Sequence, residues 1–159
     1  MIECGYNRHS FPAVCLDGRR TLEKLVAMNT VPKILVVDDD SRVRKFLTEA
    51  LNHIRPESQV LTAEDGVDAL TKLTDVDMVI TDCIMPKMDG IQLCNHIRRL
   101  NKGIKVVLVT GKVPYAEIPH DMFDDILMKP FTVGDIEQTI KNLLPHQGHP
   151  HGRRHPADE

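Results

Sequence analysis

The chain of 159 residues has no tryptophan, and aromatic residues make up only 4% of it. Few rings are therefore available to stack on bases, which argues against a single-strand nucleic-acid platform. A net charge of −3 leaves no broad basic surface for direct contact with nucleic acid. No apolar stretch approaches the ~20 residues needed to span a bilayer, so membrane insertion is not expected. The N-terminus also lacks a signal peptide's continuous apolar stretch, because Asn7, Arg8, His9 and Asp17 interrupt it. These absences predict a cytoplasmic protein. Four cysteines occur, Cys4, Cys15, Cys83 and Cys94, with no CxxC pair and no zinc spacing. They read as reduced thiols. Cys83 is expected to be partly accessible, with nothing nearby to make it a nucleophile.

What is present is enough for one globular core, at 42% hydrophobic and 27% charged residues. Residues 1–31 lack periodicity except for a short candidate helix from Arg19 to Met28, and they read as an N-terminal extension. Translation starting at Met28 is a simple alternative reading of that segment. Residues 32–145 form the globular region. Residues 146–159 are rich in His, Pro and Arg and read as a disordered tail that cannot build a core.

Within 32–145, strands and helices alternate. Strands are predicted over 33–37, 59–63, 77–81, 104–109 and 126–128. Helices are predicted over 42–54, 66–73, 90–100 and 132–144. The first helix carries Val43, Phe46, Leu47, Ala50, Leu51 and Ile54 at helical spacing, with Asp40 or Ser41 as its cap. Pro114 and Pro119 leave little room for a helix between the fourth and fifth strands. Five strands alternating with helices predict an α/β doubly wound parallel sheet covered on both faces.

Chemistry collects at the strand ends. Ile34-Leu35-Val36-Val37 runs into Asp38-Asp39-Asp40, and Met78-Val79-Ile80-Thr81 runs into Asp82. Thr110 ends the fourth strand and Lys129 the fifth. In a parallel sheet these ends share one edge, where ligands bind. Crowded carboxylates need a cation, and Mg²⁺, a hard ion that brings phosphate with it, suits them. The hydroxyl and the ammonium can meet phosphoryl oxygens. Each residue also has a local reading. Asp40 and Asp89 can cap helices, Thr110 can be a turn residue, and Lys129 can be a solvated lysine.

Taken together, Asp38-Asp39, Asp82 with Met85-Pro86 and Asp89-Gly90, Thr110, and Lys129-Pro130-Phe131 resemble the receiver domain of two-component response regulators. The resemblance covers about residues 32–145 and implies a flavodoxin-like sheet in strand order 2-1-3-4-5. It implies that Asp82 accepts a phosphoryl group from a phosphohistidine. It further implies that Asp38, Asp39, Asp82 and the carbonyl of Ile84 serve Mg²⁺, Asp38 mostly through a water. Thr110 and Lys129 would bind the phosphoryl group, and the Lys129–Pro130 peptide would be cis. Implied partners are a sensor histidine kinase or a histidine phosphotransfer protein, and a downstream protein. A homodimer formed on phosphorylation is also among the expected assemblies. The domain would catalyse only its own phosphorylation and dephosphorylation. With about a dozen residues after the last helix, a stand-alone receiver is expected.

Two departures stand out. Ile126 occupies a position where the family often has Tyr or Phe, and the span from Thr110 to Lys129 is short. Two other readings compete. In a haloacid-dehalogenase-type phosphatase Asp38 would be the nucleophile, but Ser41 falls one residue early for that signature. A pseudo-receiver scaffold would never take up phosphate.

Overall fold

A computed structural model describes residues 31–100, 103–111, 113 and 115–144. The candidate helix at 19–28, most of the proposed extension, the His-rich tail and Lys112 lie outside the described residues. The architecture below belongs to the unit that starts at Val31.

In chain order the elements are β1 (Lys33–Val37), α1 (Ser41–Ile54), β2 (Gln59–Ala63), α2 (Gly66–Leu70) and β3 (Met78–Asp82). They continue with α3 (Gly90–Leu100), β4 (Lys105–Thr110), β5 (Asp125–Met128) and α4 (Val133–Leu143). The strands form one parallel sheet ordered β2-β1-β3-β4-β5, as expected. The Val, Ile and Leu runs of β1, β3 and β4 are buried on both faces, which is why they show no alternation. One face packs Leu47, Ala50 and Leu51 of α1 and Ile136 and Ile140 of α4 against Ile34, Val36 and Ile80. The other packs Ala69 of α2 and Leu93, Cys94 and Ile97 of α3 against Leu35, Val79 and Leu108.

Local chemistry sets the helix starts. Asp40 accepts the Arg42 N–H at 2.8 Å and caps α1. Asp89 accepts the Gln92 N–H at 2.7 Å at the start of α3. Thr132 and Asp135 form a reciprocal capping box on α4. The expected helix over 66–73 stops at Leu70. Its last turn tightens, with Thr71 N donating to Asp68 O and Thr71 Oγ1 donating to the same carbonyl. The third strand runs one residue further than expected and includes Asp82, because Asp82 pairs in the ladder with Val109. Thr110 likewise belongs to β4 through its pairing with Met128.

Phe46, expected in the core, is 41% exposed and packs its ring against Phe131 at a centroid distance of 6.1 Å. Cys83 is buried at 4% exposure, contrary to the accessible thiol expected. Its side chain falls on the α3 face of the sheet, where Met85 and Leu93 belong to the same apolar cluster.

Among the described residues between β4 and β5 the chain makes two short 3₁₀ turns, Tyr115–Glu117 and His120–Met122, and no longer helix, in keeping with its prolines. Arg98 of α3 holds this segment. Its guanidinium donates to Met122 O at 3.0 Å, Ile104 O at 2.7 Å and Asp124 Oδ2 at 2.7 Å. At the opposite side of the sheet, Arg55 is 4% exposed and donates to the Leu144 carbonyl, tying the end of α1 to the end of α4.

Candidate functional site

The register of the parallel strands brings the expected residues to one edge. Asp38 and Asp39 follow β1, Asp82 ends β3, Thr110 ends β4, and Lys129 follows β5. All five line one cleft of about 630 Å³. Lys129 N donates to Thr110 O at 2.7 Å, which fixes the lysine beside the threonine. The Lys129–Pro130 peptide is cis, as the resemblance implied.

The acids are not equivalent. Asp38 is 2% exposed, and its Oδ1 accepts the Asp40 N–H at 2.8 Å. Arg44 donates to the Asp38 carbonyl at 2.6 Å and stiffens the same turn. Asp39 is exposed on the cleft. Asp82 is half-buried, and its Oδ2 accepts the Ile84 N–H at 3.0 Å. Ile84 itself is 50% exposed and lines the cleft. Asp40 caps its helix and pairs with Arg42 at 2.8 Å, which holds its carboxyl at about 2. It belongs to the helix start, as its local reading had it.

Lys129 supplies the positive charge. Its Nζ lies 2.6 Å from Asp82 Oδ1 and 3.4 Å from Asp38 Oδ2. Burial of the ammonium acts to lower its pKa. The hydrogen bond to Asp82 and the charge of Asp38 outweigh that and raise it. For Asp38, burial dominates and raises the carboxyl pKa, against the lowering effects of the Asp40 N–H and Lys129. The Cys83 thiol is also pushed up, first by burial and then by the charge of Asp82. That argues against its being a nucleophile.

Mg²⁺ fits this donor set. Among the described residues no three His, Cys, Asp or Glu side chains are gathered into a cage for a metal ion. A small octahedral ion does not need one, because it keeps several waters and takes one or two carboxylates plus phosphate oxygens. The cleft offers such carboxylates beside the Thr110 hydroxyl and the Lys129 ammonium. Thr110 Oγ1 is buried with no hydrogen-bond partner among the described residues. A buried hydroxyl left unpaired is costly, and an oxygen-rich ligand in the cleft would satisfy it.

Two residues of this neighbourhood escaped the sequence reading. Lys87, in the loop between β3 and α3, pairs with Asp65 at 2.6 Å. Asp65 precedes Gly66 and caps α2 in the structure. No local pattern reports a partner 22 residues away.

The fold and the sequence agree with known proteins. The chain is 33% identical over 120 residues to a chemotaxis protein CheY homolog of Campylobacter jejuni, covering 70% of this chain and 92% of that protein. It is 36% identical over 117 residues to the probable transcriptional regulator ycf27 of Cyanophora paradoxa, of which it spans 48%. It is 37% identical over 123 residues to the sensor histidine kinase RcsC of Escherichia coli, of which it spans only 13%. The chain thus spans about half or less of the length of the last two. Among solved structures, the response regulator TrrA of Thermotoga maritima, in complex with Mg²⁺-BeF, superposes with a TM-score of 0.65 at 31% identity. That match covers 72% of this chain and all of TrrA. Residues 34–141 match the model of the response regulator receiver domain. Sheet order and sequence agree, and the chain belongs to the receiver-domain family of two-component signalling.

Proposed function

We propose that this receiver takes a phosphoryl group from a phosphohistidine onto Asp82 and signals through protein–protein binding. The observation that carries the reading is the arrangement around Asp82. Its carboxylate lies in the cleft with the Lys129 ammonium at 2.6 Å and the unpartnered Thr110 hydroxyl on the neighbouring strand end. A phosphoryl group placed there finds a nucleophile, a cation and a donor on separate, rigid strand ends.

In the reaction an Asp82 carboxylate oxygen attacks phosphorus. The P–N bond to the donor imidazole breaks, and the imidazole leaves with the electron pair and takes up a proton. Asp39 and Asp82, with the Ile84 carbonyl, would hold Mg²⁺, and Asp38 would act mostly through a water. Bound Mg²⁺ supplies neutralisation of charge on carboxylate and phosphoryl oxygens. Lys129 exchanges its bond to Asp82 for one to a phosphoryl oxygen, and Thr110 Oγ1 donates to another. The domain turns over no substrate beyond its own acylphosphate. The TrrA structure with Mg²⁺-BeF supports both the ion and the phosphoryl mimic as ligands of this kind of cleft.

The phosphoryl donor is a sensor histidine kinase or a histidine phosphotransfer protein in the cytoplasm. A groove of about 450 Å³ beside the cleft, lined by Phe46, Phe131 and Pro130, supports such docking. A downstream protein reads the phosphorylated state, and a phosphorylation-dependent homodimer is one form that output takes. The phosphatase alternative fits less well, because Asp38 is buried and its Oδ1 is committed to the Asp40 amide.

The test is incubation with acetyl phosphate and Mg²⁺, followed by intact mass. The wild type should gain one phosphoryl group only when Mg²⁺ is present, and Asp82→Asn should gain none. Label retained on Asp82→Asn and lost from Asp38→Asn would move the chemistry to Asp38. No label on the wild type would make the chain a scaffold.

A further inference from the structure

The loop Cys83–Asp89 turns back on itself at Lys87. Met88 N donates to Pro86 O at 2.7 Å, closing a three-residue turn whose central residue, Lys87, has φ 62°. Non-glycine residues rarely adopt this backbone, and they keep it where the surroundings enforce it. Here two contacts at the apex do so. Lys87 Nζ lies 2.6 Å from Asp65 Oδ2 and 3.8 Å from Glu64 Oε1, and Gly66 N donates to Met88 O at 3.2 Å. The approach is tight, since a Cβ on Gly66 would lie 2.6 Å from Met88 Cγ.

Asp65 has two tasks. Its Oδ1 caps α2 by accepting the Asp68 N–H at 2.8 Å. Its Oδ2 faces Lys87, and the side chain is only 2% exposed. A carboxylate buried to that extent needs a counter-charge, and Lys87 provides it. At the base of the loop, Gly90 N donates to Cys83 O at 3.0 Å. The loop is therefore pinned at its base by Gly90 and at its apex by Lys87. Between the two pins lies Ile84, whose N–H holds Asp82 Oδ2.

We infer that Lys87, through its ion pair with buried Asp65, is a positioning residue for the site at Asp82: the pair holds the 83–89 loop so that the Ile84 main chain stays aligned with the Asp82 carboxylate and with a divalent cation bound there. The cation part rests on the reading of Asp82 given above. The alignment of Ile84 with Asp82 stands on the metal-free geometry. A purely structural role for Lys87, neutralising Asp65 and nothing more, would leave Ile84 where it is.

Lys87→Gly separates the two roles, because glycine suits φ 62° while the charge is lost. Lys87→Arg keeps the charge, and Asp65→Asn keeps the cap while removing the buried carboxylate. In the full chain, calorimetry reads the Mg²⁺ dissociation constant, and amide hydrogen exchange reads Ile84 in metal-free protein. Lys87→Gly should weaken Mg²⁺ binding about threefold to tenfold, and Lys87→Arg should stay within about twofold of wild type. Lys87→Gly should also speed Ile84 exchange. Asp65→Asn should reproduce both effects, and the double variant should be no worse than either single one. High salt should narrow the difference from wild type, since Lys87 is largely exposed.

Wild-type Ile84 exchange in both Lys87→Gly and Asp65→Asn would overturn the inference, as would full additivity in the double variant. A wild type that takes no phosphoryl group, yet shows the expected exchange pattern, would remove the Asp82 reading and leave the loop pin standing. If Mg²⁺ does not bind the wild type, Ile84 exchange alone decides.

Discussion

Lys129 and Asp82, 47 residues apart in sequence, meet at 2.6 Å, so that the cleft's own ammonium offsets part of its carboxylate charge. The same ammonium also lies 3.4 Å from Asp38. A cation entering the cleft and this lysine would therefore compete for the same carboxylates, and under the proposed function a phosphoryl group on Asp82 would redirect the lysine.

Removing the ammonium should expose that competition. Lys129→Met leaves Asp38 and Asp82 facing each other without a counter-ion. In chelator the variant should lose about 1–3 kcal/mol of stability, between the values for surface and buried pairs. Mg²⁺ should then raise its melting temperature more than it raises that of the wild type, by mass action on a tighter site. Thermal melts with and without Mg²⁺ check this. An equal Mg²⁺ response in both proteins would refute the competition.

Asp38 makes stability depend on pH in an unusual sense. Its carboxyl pKa lies above the ordinary 3.8, chiefly through burial. Between the unfolded and folded values the folded state binds more protons, so this group's contribution falls as pH rises through that window and stays low above it. Metal-free Asp38→Asn should therefore melt higher than wild type at neutral pH, and the gap should close on acidification below the window. The same variant should bind Mg²⁺ more weakly. A gap that widens in acid would contradict the assignment.

Gly90 is required by close approach, not by backbone angle. A Cβ there would lie 2.2 Å from the Asp82 carbonyl oxygen, in the backbone at the end of β3. Gly90→Ala should cost about 3 kcal/mol and displace Asp82. Denaturant unfolding, with the rate of labelling by acetyl phosphate, reads both effects. A stable variant with wild-type labelling would show that α3 can shift freely.

Ile84 should prolong the phosphorylated state. It is half exposed on the cleft and offers no side-chain hydrogen bond to orient an attacking water. Ile84→Asn should lose phosphate faster than wild type at matched Mg²⁺ and pH, measured by intact mass over time. Equal rates, or a faster wild type, would reduce Ile84 to a packing residue.

Much of this protein was legible in its sequence because the relevant signals are local. Apolar runs ending in acids marked β1 and β3, and helical spacing marked α1, α3 and α4. Caps such as Asp40 and Asp89 act within three residues of themselves and were readable for that reason. The strand-end acids, Thr110 and Lys129 followed once a parallel sheet was inferred, since such a sheet gathers all carboxyl ends on one edge. Strand limits shifted by a residue where ladder pairing extended them to Asp82 and Thr110.

The tertiary structure alone decided which charges meet and which side chains are buried. Arg98 with Asp124, Arg55 with the Leu144 carbonyl and Lys87 with Asp65 join positions 22 to 89 residues apart. Periodicity carries no record of such partners, because each pair forms only after layers pack and charges lose water. Phe46 shows the same limit from the apolar side. Its spacing placed it on the buried stripe of α1, but in the folded protein it lies beside Phe131 and lines the groove next to the cleft. The sequence determined the elements and the chemistry at their ends, since both depend on neighbours in the chain. The alignment of Asp82, Lys129 and the Lys87-pinned loop was decided by packing, since it depends on register and burial across the whole sheet.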